Sequence, residues 1–145
     1  MDILTGALAG STLGLLGFGN IAQEVARRAQ AFGMHVVVWS RRFAEQPDVD
    51  FAAYGLESTR ESRISVAATP GDVAAQADVL SIHLALAPDT RGLVGTDVLA
   101  RLRPGALVVN TARGAILDEH AVVEALRGGH LAGVAVDVLD GERGP

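Results

Sequence analysis

A glycine-rich turn near the N-terminus gives the clearest indication of chemistry in this sequence. Residues 17–22 read GFGNIA, after a short apolar run and before a helix-like pattern. Gly17 permits a tight turn, Gly19 allows a pyrophosphate to approach the backbone, and Ala22 still lets a helix pack closely on a strand. Because a strand precedes the turn and a helix and second strand follow it, the segment predicts a dinucleotide-binding unit.

The phosphates of a dinucleotide bind backbone amides at the start of a helix, where N–H groups and the helix dipole favour negative charge. The residues expected to supply this part of the site are Phe18, Gly19, Asn20 and Ile21. The alternative is a glycine-rich turn of some other α/β protein, with no dinucleotide bound to it.

The end of the second predicted strand indicates which dinucleotide binds. Sites that prefer NAD usually carry Asp or Glu there, hydrogen-bonded to the ribose hydroxyls. This chain has Ser40, followed by Arg41 and Arg42. Serine does not repel a 2′-phosphate, and guanidinium groups bind phosphate through charge-assisted hydrogen bonds. We therefore predict NADP in preference to NAD; the alternative is that both arginines are solvated loop residues.

Apolar runs separated by helical patterns predict the elements that position these residues. Strands buried on both faces of a parallel sheet are continuously apolar. The predicted strands are residues 12–16, 34–39, 64–67, 79–82, 106–109 and 132–138, and the predicted helices are residues 20–32, 72–76, 96–102 and 118–127. Their alternation predicts an α/β fold, a Rossmann-type doubly wound parallel sheet in three layers. A single dinucleotide-binding domain is predicted for residues 1–145.

The first helix and the stretch that follows the second strand have contrasting patterns. The first helix is predicted to bury the face formed by Ile21, Val25, Ala29 and Phe32, and to stop at Gly33. The polar stretch 43–63 predicts no regular element.

Composition excludes several classes of function. The net charge of −5 leaves no broad basic face for nucleic acid or anionic lipid. The chain has no cysteine, which excludes thiol nucleophiles and zinc–thiolate sites, and it has no lysine for a Walker loop or a Schiff base. The uncharged stretch 3–23 is rich in glycine and lacks a basic flank, which argues against a membrane span or signal peptide. We predict a cytoplasmic protein that binds no metal.

Ligands of open α/β sheets bind beyond the carboxyl ends of the strands. Arg113 follows a predicted strand and precedes a glycine, a position suited to bidentate capture of a small carboxylate. His83 and Asp137 also follow predicted strands. Glu142 lies shortly after Asp137. These last three residues have alternative interpretations: His83 as a strand-end histidine bonded to backbone, Asp137 as a loop cap, and Glu142 as a solvated residue.

Several segments, in order, resemble the D-isomer-specific 2-hydroxyacid dehydrogenases. They are LLGFGNIA at 15–22, AFGM at 31–34, ADVLSIH at 77–83, PDTRGL at 88–93, VNTARG at 109–114 and AGVAVDV at 132–138. The resemblance implies the cofactor-binding domain of an oxidoreductase that transfers hydride between a nicotinamide and C2 of a 2-oxo or D-2-hydroxy acid. The AFGM segment followed by Trp39 and Ser40 is more similar to the glyoxylate and hydroxypyruvate reductase branch than to phosphoglycerate dehydrogenases.

The same resemblance implies roles for individual residues. Arg113 would bind the substrate carboxylate and help to polarise its carbonyl, and Asp137 would contact the nicotinamide carboxamide. Glu142 has the spacing of the acid that orients the catalytic histidine and raises the pKa of that histidine. The further predicted cofactor contacts are His83, Thr90, Thr111 and Ala112.

Two departures from the family pattern qualify these implications. Ala85 and Ala87 stand where the family usually has Pro and Thr or Ser, and no histidine of the chain matches the catalytic one. We therefore expect dinucleotide binding with little or no turnover by this chain, and a small 2-oxo or 2-hydroxy acid as partner of the complete enzyme. A homodimer is left open. The alternative is a stand-alone dinucleotide-binding or sensing module, which has no need of Arg113 and Glu142.

Overall fold

The computed structural model describes residues 8–46 and 48–137, and within them the chain forms one six-stranded sheet in the order β3-β2-β1-β4-β5-β6. Every pair of neighbouring strands is parallel. The elements in chain order are β1 (Thr12–Leu16), α1 (Asn20–Ala31), β2 (His35–Trp39), β3 (Ile64–Val66), α2 (Pro70–Gln76), β4 (Val79–Ile82), α3 (Thr96–Arg101), β5 (Ala106–Asn110), α4 (Glu119–Arg127) and β6 (Leu131–Val136). This topology confirms the predicted Rossmann-type α/β fold.

Helices cover both faces of the sheet, which gives the three predicted layers. On one face, Leu15 and Val36 pack with alanines of α1. On the other face, Leu80 and Val108 pack with Val73 of α2 and with residues of α3 and α4. Both faces of the central strands are therefore largely buried, which explains why those strands are continuously apolar. The extent of the domain over residues 1–145 stays a prediction.

The predicted buried face of α1 is right at its two middle residues, which pack in the core, and wrong at its two ends. Ile21 is 70% exposed and Phe32 is 63% exposed, whereas Ala22, Ala26 and Ala29 form the buried stripe. The alanine stripe shares Ala29 with the predicted face and packs small side chains against residues of β1 and β2. Ile21, in the first turn of α1, therefore has an exposed side chain.

The start and stop signals of the helices are largely confirmed. Asp118 accepts a hydrogen bond from the Ala121 amide at 3.2 Å, as expected of an N-cap. α2 begins earlier than predicted because Thr69 caps it, accepting from the Asp72 amide at 3.1 Å. Gly33 follows α1 with a φ of +77°, the left-handed conformation that ends helices.

The stretch 43–63 is ordered by aromatic side chains. The ring of Phe18 lies 5.6 Å from Phe43, 5.8 Å from Phe51 and 5.3 Å from Tyr54, measured between centroids. Short 3₁₀-helices, Arg41–Phe43 and Phe51–Tyr54, present these rings. Aromatic packing at these distances stabilises a segment that no local periodicity predicts.

Gly17 holds a conformation that only glycine adopts easily. Its φ is +99°, and a Cβ placed on it would lie 2.6 Å from the carbonyl oxygen of His83. Its amide donates to the Trp39 carbonyl at 2.7 Å. The end of β1 is thus fixed between the ends of β2 and β4, as the tight turn requires.

We expect Gly17→Ala to destabilise the protein by about 3 kcal/mol, since it adds a backbone clash to the strain of a positive φ. The matched control is Gly92→Ala, because Gly92 has a φ of +65° but open space around its Cβ position. That variant isolates the strain, about 1 kcal/mol. Chemical denaturation measures both, and equal losses would contradict the close contact.

Candidate functional site at the carboxyl edge of the sheet

Two adjoining cavities of about 700 Å³ and 410 Å³ lie beyond the carboxyl ends of β1, β4 and β5. Residues of both cavities come from the glycine turn, the loop after β4 and the loop after β5. The predicted site residues that line one or both cavities are Gly19, Asn20, Ile21, His83, Thr111, Ala112 and Arg113. This is the edge at which open parallel sheets bind ligands.

The glycine turn is open toward these cavities. A Cβ placed on Gly19 would meet no atom within 4 Å, so a ligand can approach the backbone there. α1 starts at Asn20 with no side-chain cap and no acidic residue in its first turn. The positive end of the helix dipole is therefore not compensated by this helix's own side chains, as suits an anionic ligand.

Phe18 and Ile21 divide the turn into a buried side and an exposed side. Phe18 is 2% exposed, and its ring packs against the aromatic rings of residues 43, 51 and 54. Ile21 lines both cavities. Its exposed side chain offers an apolar surface against which a flat ring can pack.

His83 connects the site to the core. Its amide donates to the Leu16 carbonyl at 2.7 Å, and its Nε2 lies 2.8 Å from the Ser81 hydroxyl. Burial lowers the pKa of His83 below its usual value. The imidazole is therefore mainly neutral at pH 7. Its main chain is bonded to backbone and the residue lines both cavities, while its contact with a cofactor stays a prediction.

Asn110 positions the loop that carries Arg113. The side-chain amide of Asn110 donates to the Arg113 carbonyl at 3.0 Å, and its oxygen accepts from the Ala112 amide at 3.1 Å. Asn110 is fully buried, whereas Arg113 is exposed. This role of Asn110 was not predicted from the sequence. The signal for it is an amide side chain at the end of an apolar strand, because such a group must find hydrogen-bond partners when it is buried.

Both arginines that follow β2 have partners within the protein. Ser40 is 9% exposed. The Arg42 guanidinium donates to the Phe18 carbonyl at 2.7 Å and lies over the Phe43 ring, 5.4 Å from its centroid. The Arg42 side chain is therefore bonded to the backbone of the glycine turn. Arg41 is exposed and forms an ion pair with Asp89.

Thr90 lies within the loop that follows β4. It is 3% exposed, and its hydroxyl accepts from the Ala87 amide at 2.8 Å and donates to the Ala85 carbonyl at 2.7 Å. These bonds fix the loop from inside. The predicted cofactor contact at Thr90 thus falls on a side chain that is engaged with its own loop.

The last predicted site residues lie after β6. Asp137 is exposed, and its amide donates to the Asn110 carbonyl at 3.1 Å, which holds it at the carboxyl edge. Glu142 lies outside the described residues.

A further cavity, of about 770 Å³, lies at the opposite edge of the sheet, at the amino ends of β1, β2 and β3. Its basic lining residues are His35, Arg60, Arg63 and Arg103. It has no glycine turn at a helix N-terminus, and ligands of such sheets bind at the other edge. The carboxyl-edge cavities are therefore the better candidate site for a dinucleotide.

Residues 8–46 and 48–137 contain neither a candidate metal site nor a membrane-spanning helix. No group of three or more histidine, aspartate or glutamate side chains in this part could hold a metal ion. None of the helices found there has the length and apolar character needed to cross a bilayer.

The chain is similar to curated proteins that are named as dehydrogenases. It is 42% identical to the (S)-sulfolactate dehydrogenase of Chromohalobacter salexigens over 135 residues, which are 92% of this chain and 40% of that protein. It is 38% identical to the D-3-phosphoglycerate dehydrogenase of Bacillus subtilis over 136 residues, 93% of this chain and 23% of that protein. The chain thus spans well under half the length of these relatives.

Solved structures with a similar fold cover nearly the whole chain. The TT0316 protein from Thermus thermophilus matches 99% of this chain with a TM-score of 0.74 and 39% identity, over 41% of its own length. The NAD-complexed D-isomer-specific 2-hydroxyacid dehydrogenase from Lactobacillus delbrueckii matches 94% with a TM-score of 0.75 and 28% identity, over 38% of its own length.

A family model agrees with both comparisons and covers almost the whole sequence. The model described as "D-isomer specific 2-hydroxyacid dehydrogenase, NAD binding domain" matches residues 2–145. The glycine turn, the loop after β4 and the Arg113 loop all lie inside that match. The chain therefore belongs to the D-isomer-specific 2-hydroxyacid dehydrogenase family, as an NAD-binding domain of that family.

Proposed function

We propose that this chain binds the nicotinamide dinucleotide of an enzyme that interconverts small 2-oxo acids and D-2-hydroxy acids. The observation that carries the proposal is the pair of adjoining cavities lined by the glycine turn, His83 and the Arg113 loop. When bound there, the dinucleotide would supply or accept the hydride. The relatives named as dehydrogenases support this reaction class.

Each part of the site has a distinct task in this proposal. The backbone amides of the turn bind the pyrophosphate, and Ile21 packs against an apolar face of the ligand. Arg113 binds the substrate carboxylate through paired hydrogen bonds, which also orients the adjacent carbonyl. Asp137 contacts the nicotinamide carboxamide, and Glu142 pairs with a catalytic histidine of the complete enzyme. A cytoplasmic location and a homodimer stay predictions of the sequence.

We propose a preference for NADP over NAD, and assign the 2′-phosphate to Arg41. The strand β2 ends without a carboxylate, at Ser40, so nothing at that position repels the phosphate. Arg41 has 65% of its side chain exposed and can reorient. Arg42 is less suited to this role, because the Phe18 carbonyl and the aromatic rings hold its guanidinium.

Arg41→Gln is expected to weaken NADPH binding about fivefold to tenfold, because it removes one charge-assisted contact at an exposed site, and to leave NADH binding unchanged. Calorimetric titration of the full chain with each dinucleotide measures both affinities. The matched control is Arg28→Gln, which breaks an exposed arginine–glutamate pair on α1 and should alter neither affinity. Equal NADPH and NADH affinities in the unmodified protein would refute the preference.

Arg113→Gln is expected to lower the affinity of the NADPH-loaded chain for oxamate, a small 2-oxo carboxylate probe, by about tenfold. Dinucleotide binding should not change. Arg127→Gln, a substitution of an exposed arginine at the end of α4, serves as the control. Line broadening of the oxamate carbon signals reports binding. Tight NADPH binding with no carboxylate site at Arg113 would instead favour a dinucleotide-sensing module.

A further inference from the structure

An exposed ion pair joins the segments that follow β2 and β4 at the carboxyl edge of the sheet. Arg41 follows β2 and Asp89 follows β4, and their side chains are paired while 65% and 61% exposed. In the sheet, β1 lies between β2 and β4. The pair therefore crosses above the end of β1, which is where the glycine turn begins.

The two ends of this pair are held by different means. Asp89 lies in the loop that Thr90 fixes from inside, next to Thr90 itself. Arg41 begins a 3₁₀-helix whose next residue, Arg42, is bonded to the Phe18 carbonyl. The backbones of both partners are thus anchored, while the long Arg41 side chain can move.

We propose that Asp89 is a cofactor-specificity residue that competes with the 2′-phosphate for the Arg41 guanidinium. This inference rests on the proposed assignment of the phosphate to Arg41. In the free protein, Asp89 forms an ion pair with Arg41. When the ligand carries a 2′-phosphate, the guanidinium exchanges the carboxylate for the phosphate, and Asp89 is left as an unpaired negative charge near it.

Asp89 consequently acts on the two dinucleotides differently. NAD has no 2′-phosphate, so it leaves the pair intact and is neither attracted nor repelled at this point. NADP must break the pair and then tolerate the Asp89 charge, which opposes the gain from Arg41. NAD-preferring sites usually carry a carboxylate at the end of β2. In this chain the carboxylate of Asp89, in the loop after β4, limits the NADP preference without abolishing it.

Asp89→Asn tests the inference. The substitution keeps the side-chain shape and removes the charge, so NADPH should bind about three- to fivefold more tightly, the range expected for an exposed ion pair, while NADH is unaffected. Asp89→Glu keeps the charge and should keep the original ratio of affinities. Asp72→Asn is the matched control, because it breaks another exposed arginine–aspartate pair, between α2 and α3.

The outcomes separate this inference from the proposed function. If Arg41→Gln weakens NADPH binding but Asp89→Asn leaves the ratio of NADPH to NADH affinity unchanged, Asp89 is not a specificity residue. A change of both affinities by the same factor in Asp89→Asn would also overturn it, since that is a loop effect. If Arg41→Gln has no effect on NADPH, the assignment of the 2′-phosphate fails, and the inference fails with it.

Discussion

The carboxyl edge of the sheet depends on the contact between Gly17 and the His83 carbonyl. The space between them admits no side chain, because a Cβ on Gly17 would lie 2.6 Å from that oxygen. This contact sets the end of β1 directly against the loop that follows β4. From there Phe18 turns into the core and Gly19 faces open space, so one residue anchors the turn and the next exposes it.

The residues of the site separate into those that hold it and those that face a ligand. Asn110, Thr90 and Arg42 donate or accept hydrogen bonds within the loops and the turn, and so fix backbone positions. Ile21 and Arg113 project from those positions with exposed side chains. A motif contains both kinds of residue, and only burial and hydrogen bonding tell them apart. The side chains of Arg42 and Thr90 are bonded to backbone, and their contacts with a cofactor stay predictions.

Sequence reasoning succeeded where local physics decides the outcome. Buried parallel strands must be continuously apolar, so all six strands were found within a residue or two of their ends, except that the predicted end of the sixth lies outside the described residues. It was less informative where partners distant in sequence decide the contacts. The face of α1 followed the size of alanines against the sheet, and Arg41 found a partner 48 residues away in Asp89. No spacing rule contains such information.

The most direct test of the account is to map backbone amide chemical shifts as NADPH is added to the full chain. We expect the perturbed amides to cluster at residues 17–22, in the loop from residue 83 and at residues 111–113, because residues of these segments line the carboxyl-edge cavities. Shifts confined to residues 58–63, beside the arginine-lined cavity at the amino edge, would contradict it. So would the absence of any perturbation at saturating NADPH.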